Sequence, residues 1–354
     1  MQAIATVKVS LALLTMGISL HSFAAPTSAF GDFFSKDGVE VTPATYPIQE
    51  SARQILRAQS AAGVNVLVHR RELTPTAKQP VVRMNRDTYY SMAVIDVSGG
   101  ATITLPEVPA GKYISMQPVT EDHRIQPMSY GGGTYELATH YGQHVFAIVR
   151  LDSTFTMSEA AFYQDQIHVS AANASLFTAE PVAQASFERA ETELRSRLPA
   201  LRARYGAGMG RGMFTAPTDE SRAYFSRDIY EVASAIGWGG AQWKDNIYEG
   251  SGALSANQCH QVGFEDPQND AFWSITVYDE KGFMFNDVAS MNSNTAEANA
   301  DGSFTVSFGC GKGARNNIPT ENGSGLISLT ARHYQPSSRI REQGYRILPL
   351  IQAK

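Results

Sequence analysis

The chain has 354 residues, of which 43% are hydrophobic and 18% charged, a globular composition that excludes a disordered or simple-repeat protein. Its formal charge of -5 lacks the basic excess of a nucleic-acid binder and argues against DNA, RNA and anionic membrane surfaces as partners. The length suits one large or two ordinary domains.

Lys8 is the only charged residue before Asp32, and it precedes an apolar run from Val9 to Leu20. Ser22-Phe23-Ala24 then places small residues where a signal peptidase reads, so residues 1–24 are expected to be a signal peptide cleaved after Ala24. The run is short for a membrane span, and no stable span is predicted. An N-terminal core helix or anchor is the alternative. Export would place the mature 330 residues in the periplasm or outside the cell.

Residues 48–62 read as a helix, with Ile48, Ala52, Ile55 and Leu56 near one face and Gly63 as its stop. Short alternating runs follow at 92–97, 101–105, 112–119 and 144–151. Gly99-Gly100, Pro109-Ala110-Gly111 and Gly131-Gly132-Gly133 separate them, the spacing of an antiparallel sandwich. From 181 to 237 the pattern turns helical. Phe187, Ala190, Leu194 and Leu198 form one stripe, and Pro199 ends or kinks that helix. A second helix is expected to start near Thr218, with Phe225, Ile229, Val232 and Ile236 inward and Gly237 as its cap. Gly206 to Gly212 between them reads as a flexible hinge or loop. It lacks the Gly-Lys-Ser/Thr of a phosphate-binding loop.

The last third is β again, with strands at 272–278, after the Asp301-Gly302 turn, and at 326–334. The expected fold is therefore mainly β with helices: two antiparallel β-sandwich domains, 25–180 and 238–354, joined by a helical connection over 181–237. The only two cysteines, Cys259 and Cys310, would pair most simply as one disulfide in an oxidising compartment, two free thiols being the alternative. Neither lies in a zinc-type cluster.

The densest polar constellation is Asn85-Arg86-Asp87-Thr88-Tyr89-Tyr90, followed by Asp96 and then by Glu121-Asp122-His123-Arg124 beyond the strand 112–119. Converging strand ends would give carboxylates, an imidazole and an oxyanion-holding arginine. The structural alternative makes Asp87 a turn residue held by Arg86, and Glu121-Asp122 a hairpin tip. His140 and His144 are four apart, but Gly142 speaks against a zinc-binding helix, and no Gly-x-Ser-x-Gly elbow is present. Among the aromatics, Trp238 sits between glycines where it can line a cleft, while Trp273 reads more readily as core.

Asn85-Arg86-Asp87-Thr88-x-Tyr90-Ser91-Met92-Ala93-x-Ile95-Asp96, Gly111-Lys112-Tyr113-x-x-Met116-Gln117, Glu121-Asp122-His123 and Gly133-Thr134-Tyr135 resemble the N-terminal half of a bacterial two-domain family. That family carries paired domains of unknown function, types 1254 and 1214. Phe272 to Tyr278, Asn286, Asn292, Asp301-Gly302-Ser303 and Gly309-Cys310 resemble its C-terminal half. The resemblance implies jelly-roll-like sandwiches joined by helices. It also implies a cleft lined by Arg86, Asp87, Tyr90, Glu121, Asp122 and His123, with Trp238 and Trp273 from the second half. Its architecture has been likened to that of glycan-amide hydrolases.

Two functions fit these residues. One is an exported hydrolase of a polar ester, amide or glycan-like substrate, with Asp87 or Glu121 as base, Asp122 beside them, His123 as acid or ligand, and Arg86 holding the developing charge. It requires the Asp87 and His123 side chains to meet. The other is a non-catalytic periplasmic protein that binds a small-molecule or glycan-like ligand, with Tyr90, Trp238 and Trp273 as contacts. No cofactor is predicted, and a divalent metal on Asp87, Asp122 and His123 stays open. Oligomeric state is not legible.

Overall fold

The computed structural model describes residues 25–354. The expected signal peptide lies outside the described residues. Among them no helix is long and apolar enough to cross a membrane.

The protein is mainly β. In the first half, strands Val68–Arg70, Thr88–Asp96, His144–Asp152, Ile114–Thr120 and Ser129–Tyr130 lie side by side as an antiparallel sheet. A three-stranded sheet of Gly133–Leu137, Ala101–Leu105 and His168–Ala171 faces it. Alternation along each strand explains why the central strands are buried throughout. Ala93, Ile95, Val145, Ala147, Val149 and Leu151 fill the core between the sheets. Tyr90, Val94, Phe146 and Ile148 point the other way and pack on helices.

Those helices are Tyr46–Ala62, Gln184–Ser196, Leu198–Tyr205 and Arg227–Gly237. Gly63, at φ 93°, ends the first and donates its N–H to the Gln59 carbonyl. Two expectations need correction. The second connecting helix starts at Arg227, because Asp219 caps a separate 3-10 turn over Glu220–Tyr224 by accepting from the Ser221 amide. Phe225, expected inward, is exposed. The glycine run, expected as a hinge or loop, is instead helical: Gly206–Gly208 is a 3-10 turn and Met209–Met213 a short helix. Gly210 is needed by close approach, since a Cβ there would stand 2.4 Å from the Trp243 ring.

In the second half, Asn246–Gly250, Leu326–Tyr334, Phe272–Tyr278 and Ser290–Asn292 form one sheet, and Asn317–Ile318, Phe304–Phe308, His260–Phe264 and Gln352–Ala353 the other. Trp273, Ile275, Val277, Leu329 and Ala331 fill the core between them. The alternate residues Ser274, Thr276, Tyr278, Arg332 and Tyr334 point outward onto the first half, where Tyr278 donates to the Met84 carbonyl and Ser274 to Asp87. Cys259 and Cys310 are joined as a disulfide across the ends of two paired strands.

Candidate functional site

The residues singled out from the sequence occupy separate places. Arg86 donates to the Thr74 carbonyl and pairs with Asp287 at 3.1 Å, linking the two halves. Asp87, fully buried, accepts from the Ser274 hydroxyl at 2.6 Å and the Tyr334 hydroxyl at 3.0 Å, with Arg332 at 3.9 Å. Burial pushes the Asp87 carboxyl up, against the pull of Arg332. Tyr90 donates to Asn85.

The other cluster follows Thr120. Glu121 accepts from the Gln143 and His144 amides and from the His144 ring, and Asp122 pairs with His140 at 2.9 Å. His123 is buried, accepts from the Gly239 amide at Nε2 and stacks on Trp238 at 5.9 Å. The strand register separates the two clusters. Thr88 pairs with Asp152 and Thr120 with Val145, so they lie seven residues apart along one strand, about 23 Å at the usual strand rise. Asp87 and His123 stand at opposite ends of the sheet. Trp273 is core, packed against Phe264 and Phe304. Among the described residues no group of three His, Cys, Asp or Glu side chains could hold a metal ion.

His123 makes stability pH-dependent. Burial holds its imidazole down at about 3, so the folded ring stays neutral where the unfolded chain, with an ordinary imidazole near 6.5, takes up a proton. Stability from this group is present above pH ~6.5 and falls as pH drops towards 3, by about 2 kcal/mol at pH 5. Urea unfolding at pH 7 and pH 5 should show a smaller difference in His123→Gln than in the native chain; an equal difference contradicts the assignment.

What the fold does assemble is a cavity of about 700 Å³ where the two halves meet the connecting helices. The outward faces of both central sheets line it: Tyr90, Met92, Phe146, Ile148 and Arg150 from the first half, Thr330, Arg332 and Tyr334 from the second. Ala58, Met209, Met213, Phe214, Trp238 and Trp243 complete a largely apolar wall. Trp238 is fixed by donating to the Ser51 hydroxyl and by an edge contact with Phe146. Gln117 holds the following turn by donating to the Gly239 and Gly240 carbonyls. A Cβ on Gly240 would meet the Phe214 ring at 2.2 Å, so glycine lets the turn seat against that wall.

Of the candidate catalytic and binding residues, Tyr90 and Trp238 reach this cavity, together with Asn85 from the same polar run, and His123 stands directly behind Trp238. Arg150, Arg70 and Met92 also line it, and polar density along the chain does not mark them. Their signal is parity: Arg150 shares its strand face with Phe146 and Ile148, so it points away from the sandwich core.

Two β-sandwich halves closing on a cavity define the class of protein. Residues 64–153 match the model described as protein of unknown function DUF1254, and residues 246–338 the one described as protein of unknown function DUF1214. The chain belongs to the family that carries these two domains in this order. No curated protein matches the sequence. Among solved structures it is similar to the VPA0106 protein of Vibrio parahaemolyticus, with 15% identity, a TM-score of 0.63, and coverage of 88% of this chain and 97% of the other. It is also similar to a putative uncharacterized protein from Burkholderia cenocepacia, with 12% identity, a TM-score of 0.51, and coverage of 88% and 86%. At these identities the likeness concerns the fold alone.

Proposed function

We propose that this is an exported binding protein that holds a small, largely apolar molecule in the cavity between its two domains. The cavity carries the reading: about 700 Å³ lies within the range of small-molecule sites, and apolar walls with a few polar groups are their usual lining. The apolar run before Ala24 and the disulfide support export. The hydrolase alternative depends on Asp87 and His123 acting together, and the register gives that pair no common site.

A thermal-unfolding screen against a library of apolar and amphipathic small molecules tests the reading. A ligand at about 100 times its dissociation constant should stabilise the chain by roughly 2.7 kcal/mol and be recovered unchanged. Conversion of that ligand to a product would make the protein an enzyme, and a screen with no stabilising molecule would remove the binding reading.

A further inference from the structure

Resting on that reading, we propose that the ligand is an anionic amphiphile whose head group binds between Arg150 and Arg70, with its apolar body against the cavity wall. Arg70, Tyr90 and Arg150 are paired directly across three neighbouring strands. Register partners point to the same face, so the three side chains form one row on the cavity side, with the two arginines two strand spacings, about 10 Å, apart at the backbone.

Arg150 is more than nine-tenths buried, and among the described residues no acid lies within 4.0 Å of its guanidinium, whose bonds go to neutral acceptors. Its guanidinium donates to Gln117 at 2.7 Å and, at 3.5 Å, to the Gly239 carbonyl. Two of five N–H donors are thereby engaged, and the group is always charged. Its other neighbours are phenols, with Tyr90 at 5.8 Å from the guanidinium. A buried cation needs a counter-charge; Asp245 acts on Arg150 only from beyond ion-pair distance, and that carboxyl accepts from the Tyr130 hydroxyl and is pushed up by burial to about 6, so no acid contacts the guanidinium.

Arg70 lines the same cavity, half-buried and likewise without an acidic partner. Arg57, Arg83 and Arg346 line it too and bond only to neutral acceptors. Of the two acids on the lining, Glu249 is occupied by His333 and by the Ile347 and Leu348 amides, and Glu280 is exposed. The cavity therefore carries a net positive charge on an apolar wall. A carboxylate or a phosphate monoester would accept from both arginines as charge-assisted hydrogen bonds.

Calorimetric titration of the full chain with decanoate, decyl phosphate, 1-decanol and decyltrimethylammonium separates the possibilities. Either anion should bind at one site at least tenfold more tightly than decanol, with the cation weakest, and the tighter anion identifies the head group. Arg150→Met and Arg70→Gln should each bring the anion-to-decanol affinity ratio down by roughly tenfold or more. Arg70 is only half-buried, so its variant serves as the test should Arg150→Met fail to fold. Decanol binding as tightly as the anions, or a ratio unchanged in a folded variant, overturns the anion assignment and leaves the cavity reading standing. Absence of binding by all four probes overturns the assignment, and the cavity reading falls with it only if the library screen is also empty.

Discussion

Alanine in place of Asp87 should cost the fold about 3–5 kcal/mol, the usual penalty for removing one partner from a buried charge pair. The carboxylate is fully buried between the two halves and is the only acid within 4.0 Å of Arg332, itself 3% exposed, among the described residues. Its loss would strand that guanidinium and leave the Ser274 and Tyr334 hydroxyls without their acceptor. Arg332 would keep its bonds to Thr276, Tyr278 and the Arg83 carbonyl, which are all neutral. Asp87→Asn should cost less, because an amide oxygen can still accept from one hydroxyl. The coupling is measured by a double-mutant cycle with Arg332→Met, read by urea unfolding. If the double variant loses the sum of the two single losses, the two residues are not energetically paired.

Removing the Cys259–Cys310 bridge should cost about 4 kcal/mol, from closure of a loop with a sequence separation of 51 residues. The two cysteines flank strands His260–Phe264 and Phe304–Phe308, which are already hydrogen-bonded in register. The bridge therefore acts chiefly by restricting the unfolded chain, and the native sandwich should survive its loss at low temperature. Guanidinium unfolding of the Cys259→Ser, Cys310→Ser double variant should show the second domain melting earlier. An unshifted transition would mean that the unfolded chain gains little freedom when the bridge is cut.

Much of the fold is legible in the sequence because burial leaves a period. Met92 to Asp96, Phe272 to Tyr278 and Leu326 to Tyr334 alternate in the way that paired sheets demand, and each falls on a strand, the first extended back to Thr88. The segment from Thr218 to Phe225 misleads because an acidic cap with a following apolar residue looks the same before a 3-10 turn as before an α-helix. Gly206 to Gly212 resembles a hinge because composition cannot show that Trp243 and the Tyr224 carbonyl press against it and require glycine.

The candidate site is legible only in part. Polar density draws attention to Asp87 and to Glu121-Asp122-His123, yet these groups are satisfied by neighbouring side chains and by backbone, Asp87 as the pin between domains and Glu121 as a clasp on the His144 strand. The cavity draws on segments from residue 54 to residue 346, and no local spacing could gather them. A lone arginine in the largely apolar strand His144–Asp152 is the strongest available sign, since burying it with no acid in ion-pair contact has to serve something.

Ala58 lies on the first helix and faces the cavity, so filling that position tests most directly whether the space between the domains is a binding site. Titration of the full chain with 1-anilinonaphthalene-8-sulfonate, followed by dye emission, should reveal one saturable site. Ala58→Trp should abolish that site while leaving the thermal unfolding midpoint near its original value. Undiminished dye binding in the filled variant would place the site elsewhere and contradict a ligand held between the two sandwiches.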